Sequence, residues 1–349
     1  MIQLKSNELV FAFPDVHEDA RLTIDFQRTL RIPDDDNTYS LPPGLGSFPL
    51  AHVDDHADRV PPTWLTHGGV MLSMYQSEAM WLSFDAYWTD DHDVSYPFAV
   101  KVATGKVCAV SGETWRNGLT RNPKQNYLAI PKQLWLDGYS VEEGLIRQFV
   151  AMPLGASYTA EEQITGEAEH GGLQILVAPM RRSVFEKRFP KIERVPRVLE
   201  CPSPTSNKRL SLSRRVAEPE MGLAPGGRMR QEIYRDPFDL ADYDTDNASR
   251  CFVHIANSMV WHSITGSQPP TVPPTADDYT RQGLPWFDYY DGDPKAVRGS
   301  GILGALKSVV TLGKKKGDQP LPENTSVEPT NIKQLRKNLE PGQVREGGF

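Results

Sequence analysis

The chain has 349 residues, enough for one large domain or two ordinary ones, and its net charge of −7 argues against nucleic-acid binding as its main role. Its 27 Gly and 29 Pro predict many turns and few long helices. No apolar run reaches about 18 residues, and the N-terminus lacks a basic stretch followed by an apolar one. Neither a transmembrane helix nor a secretory signal is therefore expected, and three separated cysteines predict free thiols in a cytoplasmic protein.

Alternating apolar residues predict β-strands throughout the first 200 residues. The clearest period of two runs through 22–27, and a short glycine turn at 104–106 joins two apolar runs into a predicted hairpin. Because turn signals separate so many short strands, the sequence predicts a mainly β fold, an antiparallel sandwich or barrel, with a few short helices. The remaining predicted strands are 8–13, 79–84, 127–130, 146–151 and 173–177.

Composition divides the rest of the chain. Residues 201–227 combine Pro, Ser and two dibasic pairs, which predicts a linker or long loop. Residues 228–298 lack a regular apolar pattern, so we expect a segment that wraps back and packs on the β domain of residues 1–200. Residues 299–316 are predicted to form an amphipathic C-terminal helix, and 317–349 a flexible tail.

The predicted C-terminal helix carries one apolar stripe. The stripe lies within 301–312, and a helix of about 12 residues is marginal in water, so this one must dock on another surface. The protein's own β domain is the favoured surface; a partner protein's groove and a membrane interface are the alternatives. The residues of the stripe are Ile302, Leu303, Leu306, Val309 and Val310.

A metal site is the first of two candidate sites. In an extended segment, His52, Asp54 and His56 would point to one side, as three ligands of a zinc or mixed nitrogen and oxygen site should. The polar, loop-like context favours a solvated surface instead. We therefore expect no cofactor, with a divalent metal as the alternative.

A dense acidic segment at 161–170 is the second candidate. Its carboxylates and histidine, among them Glu162, Glu167, Glu169 and His170, can supply general acid and base groups or bind a ligand. Arg147, in a nearby apolar run, needs a partner if it is buried, and this segment can provide one. The structural interpretation is favoured: an acidic loop that leads into the next strand, with Arg147 in a structural ion pair.

Part of this region resembles a known block. The words WLDGY at 135–139, IRQFVAMPLG at 146–155 and EEQITGEAEHGGLQI at 161–175 resemble a block, 135–177 here, shared by a family of uncharacterised proteins. The resemblance implies a common fold and no mechanism. Ser157 stands where the block is expected to have glycine before Tyr158, so a different turn is expected here.

The sequence contains no recognised catalytic motif. Residues 299–304 match the letters of a dinucleotide-binding loop, but no strand precedes them. A soluble, non-catalytic binding or assembly protein is therefore the favoured function. The alternative is an acid/base or metal-assisted hydrolase that uses the acidic segment.

Overall fold

Most of the regular structure is β-strand in the computed structural model, which describes residues 1–35, 37–192, 220–289, 296–319 and 322–335. The prediction of a mainly antiparallel β fold with a few short helices is confirmed, and every predicted strand falls on an observed one. The strands are β1 (Ile2–Lys5), β2 (Glu8–Ala12), β3 (Arg21–Thr29), β4 (Thr38–Tyr39), β5 (Gly44–Ser47), β6 (Leu50–His52), β7 (Val70–Met74), β8 (Ala79–Ala86), β9 (Trp88–Thr89), β10 (Val94–Ser95), β11 (Phe98–Thr104), β12 (Val107–Cys108), β13 (Leu128–Ile130), β14 (Trp135–Leu136), β15 (Gly138–Glu142), β16 (Leu145–Pro153), β17 (Leu173–Pro179), β18 (Glu220–Arg230), β19 (Ser249–Asn257), β20 (Trp286–Asp288) and β21 (Ile332–Gln334). The helices are α1 (Pro62–His67), α2 (Ala160–Thr165), α3 (Arg182–Arg188), α4 (Ser258–Thr265), α5 (Ala276–Arg281), α6 (Gly301–Gly304) and α7 (Val309–Lys316).

One large curved sheet carries most of these strands. Its neighbours follow the order β1, β2, β3, β8, β16, β18, β19, β17, β11, β13, and all of these pairs are antiparallel. The ring of Phe13, just after β2, lies 6.0 Å from that of Phe98 in β11. Because those strands stand near opposite ends of the order, the sheet must roll around its core.

Strand β3 has an apolar inner face and a largely polar outer face. Along β3, Leu22, Ile24 and Phe26 are fully buried, while Thr23 and Asp25 between them are partly exposed. This is the pattern expected of a strand with one face in the core.

Strand β18 corrects the predicted linker. Residues 220–227 belong to this strand, which lies centrally between β16 and β19 and is almost wholly buried. It escaped prediction because it is buried on both faces and rich in glycine, so its apolar residues do not alternate. Gly222 is required for close packing, since a Cβ there would lie 2.6 Å from Cγ2 of Thr159. Residues 201–219 of the predicted linker lie outside the described residues.

The predicted wrap-around segment of 228–298 also needs correction. It contributes β19, which pairs with β17, β18 and β7 inside the large sheet instead of packing on it. Strand β19 leads directly into α4, whose first turn is capped by the side chain of Asn257. The sequence motif around Cys251 thus encodes both a strand and a helix.

The C-terminal helical segment is interrupted and docks on its own domain. It forms α6 and α7 instead of one continuous helix, because the side chain of Gln163 bonds to both backbone groups of Lys307 and Ser308 caps α7. Leu303 and Leu306 join the main core. Val309 packs in a neighbouring apolar cluster, whereas Ile302 is 45% exposed.

Part of the predicted flexible tail is ordered against the domain. Val327 is buried in a cluster with Trp286, and β21 pairs with β20 in parallel. Residues 336–349 lie outside the described part of the chain. Across the described ranges, no helix combines the length and apolar character that a membrane crossing needs.

Candidate functional site

The acidic segment at 161–170 is half helix, not a loop throughout. Thr159 and Glu162 form a capping box at the start of α2. The Glu162 carboxylate accepts from the Thr159 backbone N–H at 3.1 Å, the Thr159 hydroxyl at 2.7 Å and the Ser157 N–H at 2.6 Å. Glu162 therefore holds the local fold together.

Glu161, its neighbour, anchors the other end of the segment. This side chain is buried, and its Oε2 accepts from the backbone N–H groups of His170 at 3.2 Å and Gly171 at 2.9 Å. Burial raises the pKa of Glu161, while these two N–H groups lower it. No local pattern predicts that this carboxylate is the buried one.

The remaining two carboxylates pair with a lysine on the adjoining hairpin. Lys106 Nζ lies 3.4 Å from Oε2 of Glu167 and also contacts Glu169. Both carboxylates are exposed, so these ion pairs add little to stability.

His170 meets two histidines from distant parts of the sequence. Its ring lies 4.7 Å from that of His67, which in turn lies 6.4 Å from that of His254. Burial lowers the pKa of His254 to about 4, and its Nε2 bonds to the carbonyl of Gly68 at 3.0 Å. His254 is therefore neutral at physiological pH.

The proposed metal ligands do not share an extended segment. Strand β6 ends at His52, and Asp54–His56 forms a short 3₁₀ turn, so the expected one-sided arrangement of His52, Asp54 and His56 is wrong. Within the described ranges, no three His, Cys, Asp or Glu side chains are close enough to hold a metal ion.

Arg147 finds its partner elsewhere. Its Nη1 lies 3.4 Å from the Asp34 carboxylate and donates to the carbonyl of Gly226 at 3.0 Å. The expectation that the acidic segment would supply the partner is wrong. Arg147 instead ties β16 to the residues that follow β3.

A second arginine in this region lines a cavity that the sequence did not suggest. Arg31 follows β3 by two residues and is only 4% exposed. The side-chain amide of Gln148 fixes the backbone on both sides of it, because Nε2 donates to the Leu30 carbonyl at 2.9 Å and Oε1 accepts from the Ile32 N–H at 3.0 Å. These two hydrogen bonds from Gln148 therefore fix the backbone position of Arg31.

The C-terminal segment forms the opposite wall of this cavity, whose volume is about 190 Å³. Asp34 Oδ2 accepts from the Val310 N–H at 2.9 Å and so attaches the start of α7 beside Arg31. The hydroxyl of Tyr158 donates to Asp318, which fixes the residues after α7. The lining residues include Arg31, Tyr158, Val309, Val310, Lys314 and Asn324.

The guanidinium of Arg31 is incompletely partnered. Its Nη2 donates to Oδ1 of Asn324 at 3.0 Å, but Nε and Nη1 are buried and have no hydrogen-bond partner among the described residues. Burial lowers the pKa of Arg31, while nearby Asp34 and Glu323 raise it, and an arginine remains charged in any case. Buried charged groups are normally fully hydrogen-bonded, so these two nitrogen atoms make the cavity beside Arg31 the candidate site.

Comparison with known proteins gives no match: no family model, curated protein or solved structure is significantly similar to this chain. The resemblance of residues 135–177 to a family block stays a prediction. What the chain binds must therefore be inferred from its own geometry.

Proposed function

We propose that this protein is a non-catalytic binding protein that holds a small molecule with a carboxylate or phosphate group in the cavity beside Arg31. The observation that supports it most is the buried guanidinium with two unpartnered nitrogen atoms. Asp34 and Glu323 lie near enough to offset part of the cost of burying this charge, but neither accepts a hydrogen bond from Nε or Nη1. An anionic ligand group would accept from these two nitrogen atoms.

The rest of the cavity narrows the class of ligand. Lys314 adds a second positive charge, and Met152, Val309 and Val310 supply apolar surface. At about 190 Å³ the cavity is smaller than the roughly 300–1,000 Å³ typical of drug-sized ligands. A short organic acid or organic phosphate matches this combination of size, charge and apolar wall.

The hydrolase alternative has less support. Glu161 and Glu162 already accept hydrogen bonds from backbone N–H groups, and Glu167 and Glu169 pair with Lys106. These contacts give each carboxylate a structural partner.

Calorimetry and thermal unfolding of the full chain with butyrate and with inorganic phosphate test the proposal. Binding should raise the melting temperature, because a ligand at ten times its Kd adds about 1.4 kcal/mol to the free energy of unfolding. Arg31→Met should abolish this effect, and Arg31→Lys should retain part of it. Butylamine, which has the same apolar body and the opposite charge, should give no shift.

Arg182→Met is the matched control, since Arg182 is exposed and its ion-pair partner among the described residues is Glu186, one helical turn away. It should bind both anions as the unaltered protein does. If Arg31→Met also binds them with unchanged Kd, the cavity is not the site and the proposal fails.

A further inference from the structure

The outer face of β3 and β8 carries another cavity, of about 490 Å³, away from Arg31. The strand register places Asp25 opposite Ser83 and Gln27 opposite Trp81. Strand β14 pairs with the other edge of β8 and places Trp135 opposite Ser83. Two tryptophans and a row of polar side chains therefore share one outward face.

Three carboxylates line this cavity. Glu8 comes beside Asp25 when the β2–β3 register is extended by one residue, and Asp85 is diagonal to Asp25, at a distance of about 7–8 Å in an antiparallel sheet. Burial raises the pKa of Glu8, and the charges of Asp25 and Asp85 raise it further. Lys5 lies opposite Glu8 on β1, but no described ion pair involves any of these carboxylates.

The carboxylates also have unused hydrogen-bonding capacity. Oδ2 of Asp25 accepts from the Ser47 hydroxyl at 2.9 Å, and the amide of Gln27 contacts the same oxygen. Oδ1 of Asp25 is buried without a hydrogen-bond partner among the described residues. A hydrogen-bond donor that carried positive charge would complete this network.

The tryptophans extend the site toward an apolar groove. Trp81 and Trp135 line both the acidic cavity and an adjoining groove of about 220 Å³, which also includes Pro42, Pro43 and Phe287. Aromatic ring faces attract cations and pack well against methylene groups. The two cavities together therefore offer negative charge next to an aromatic and aliphatic surface.

We propose that this face is a second binding site, for an aliphatic polyamine whose ammonium groups pair with Glu8, Asp25 and Asp85 and whose methylene chain lies on Trp81 and Trp135. The closely spaced carboxylates match ammonium groups separated by a few methylenes. A neutral sugar could also stack on the rings, but it would leave three negative charges uncompensated. Charge complementarity therefore selects the polyamine.

Titration of the full chain with spermidine at low ionic strength, followed by tryptophan fluorescence and calorimetry, tests this proposal. Binding should be one to one and should weaken as salt is added. Trp81→Ala and Asp85→Asn should each raise the Kd about fivefold, the size expected from losing one cation–π or charge contact. Trp81→Phe, a milder change, should retain part of the affinity.

Two exposed residues elsewhere supply matched controls. Trp88, which is 50% exposed, and Asp55 can be changed to Ala and Asn, and neither variant should alter the Kd. Absence of spermidine binding, an equal effect of the controls, or binding of cellotetraose in its place would overturn the proposal. Arg31→Met should bind spermidine normally, so this result is independent of the Arg31 cavity.

Discussion

Arg28 and Arg31 are both buried and lie three residues apart, but they differ in their partners among the described residues. Arg28 Nη2 lies 2.6 Å from Oε1 of Glu78 and donates to the carbonyl of Thr271 at 2.6 Å, while Glu78 also accepts from the Tyr75 N–H at 2.9 Å. Arg31 has one amide partner and no ion pair with any described residue. Arg28 therefore has a carboxylate partner that stabilises the structure, whereas the Arg31 charge is the one that we propose a ligand pairs with.

The largest effect is expected at the paired arginine. Arg28→Met should lower the free energy of unfolding by about 3–5 kcal/mol, because it leaves the buried Glu78 carboxylate without its cation. Denaturant unfolding measures this loss. The double variant Arg28→Met, Glu78→Met should recover much of it, and equal losses in the single and double variants would contradict the ion-pair explanation.

Asp137 shows a third way to accommodate a buried charge, which is to neutralise it. Burial raises the pKa of its carboxyl to about 7, and Oδ2 accepts from Nε2 of Gln231 at 2.9 Å. Between about pH 4 and 7 the folded protein therefore holds a proton that the unfolded chain has lost. This contribution to stability is full below pH 4 and disappears as the pH rises through 7.

Asp137→Asn should abolish that dependence, which we expect to be on the order of 4 kcal/mol across the pH window. Denaturant midpoints at a series of pH values for both proteins give the measurement. His254 has a lowered pKa of about 4, so its contribution to the free energy of unfolding decreases as the pH falls below 6.5. This decrease is the same in both proteins. Parallel pH profiles would show that Asp137 does not titrate in this range.

The smallest effect is expected at the unpaired arginine. Without ligand, Arg31→Met should change the free energy of unfolding by less than about 1 kcal/mol, because it removes a buried charge that no carboxylate pairs with. The same denaturant experiment measures it. A loss as large as that of Arg28→Met would mean that Arg31 is a structural residue and would remove the contrast.

The sequence predicted strands that alternate in polarity, such as β3, and strands with an unbroken apolar run, such as β17, but it missed the glycine-rich β18. Strands β3 and β8 alternate in polarity, so period two identified them. Strand β18 also has both faces covered, but Gly222, Gly226 and Gly227 interrupt its apolar residues, so it shows neither pattern. Fold class was therefore accessible from local pattern, whereas the route of the chain through the centre of the sheet was not.

The site was harder to predict than the fold, because its parts are remote in sequence. Arg31 is followed by Pro33 and a run of aspartates, which resembles an exposed loop, and nothing local indicates that it is buried. The acidic segment was a candidate site because of its charge density alone. One local signal was readable there: Thr159 and Glu162 have the spacing of a capping box, which predicts a structural role for that glutamate.

The cavity also has a consequence for the order in which the protein is made. Arg31 and Asn324, which meet across it, are 293 residues apart in the chain. During synthesis, the C-terminal residues that complete the cavity leave the ribosome long after β3 does. Contacts between such distant segments also form late in folding. Under the proposed function, ligand binding requires the finished chain, and a proteolytic cut that released α7 would remove one wall of the cavity while leaving the strands of the sheet paired.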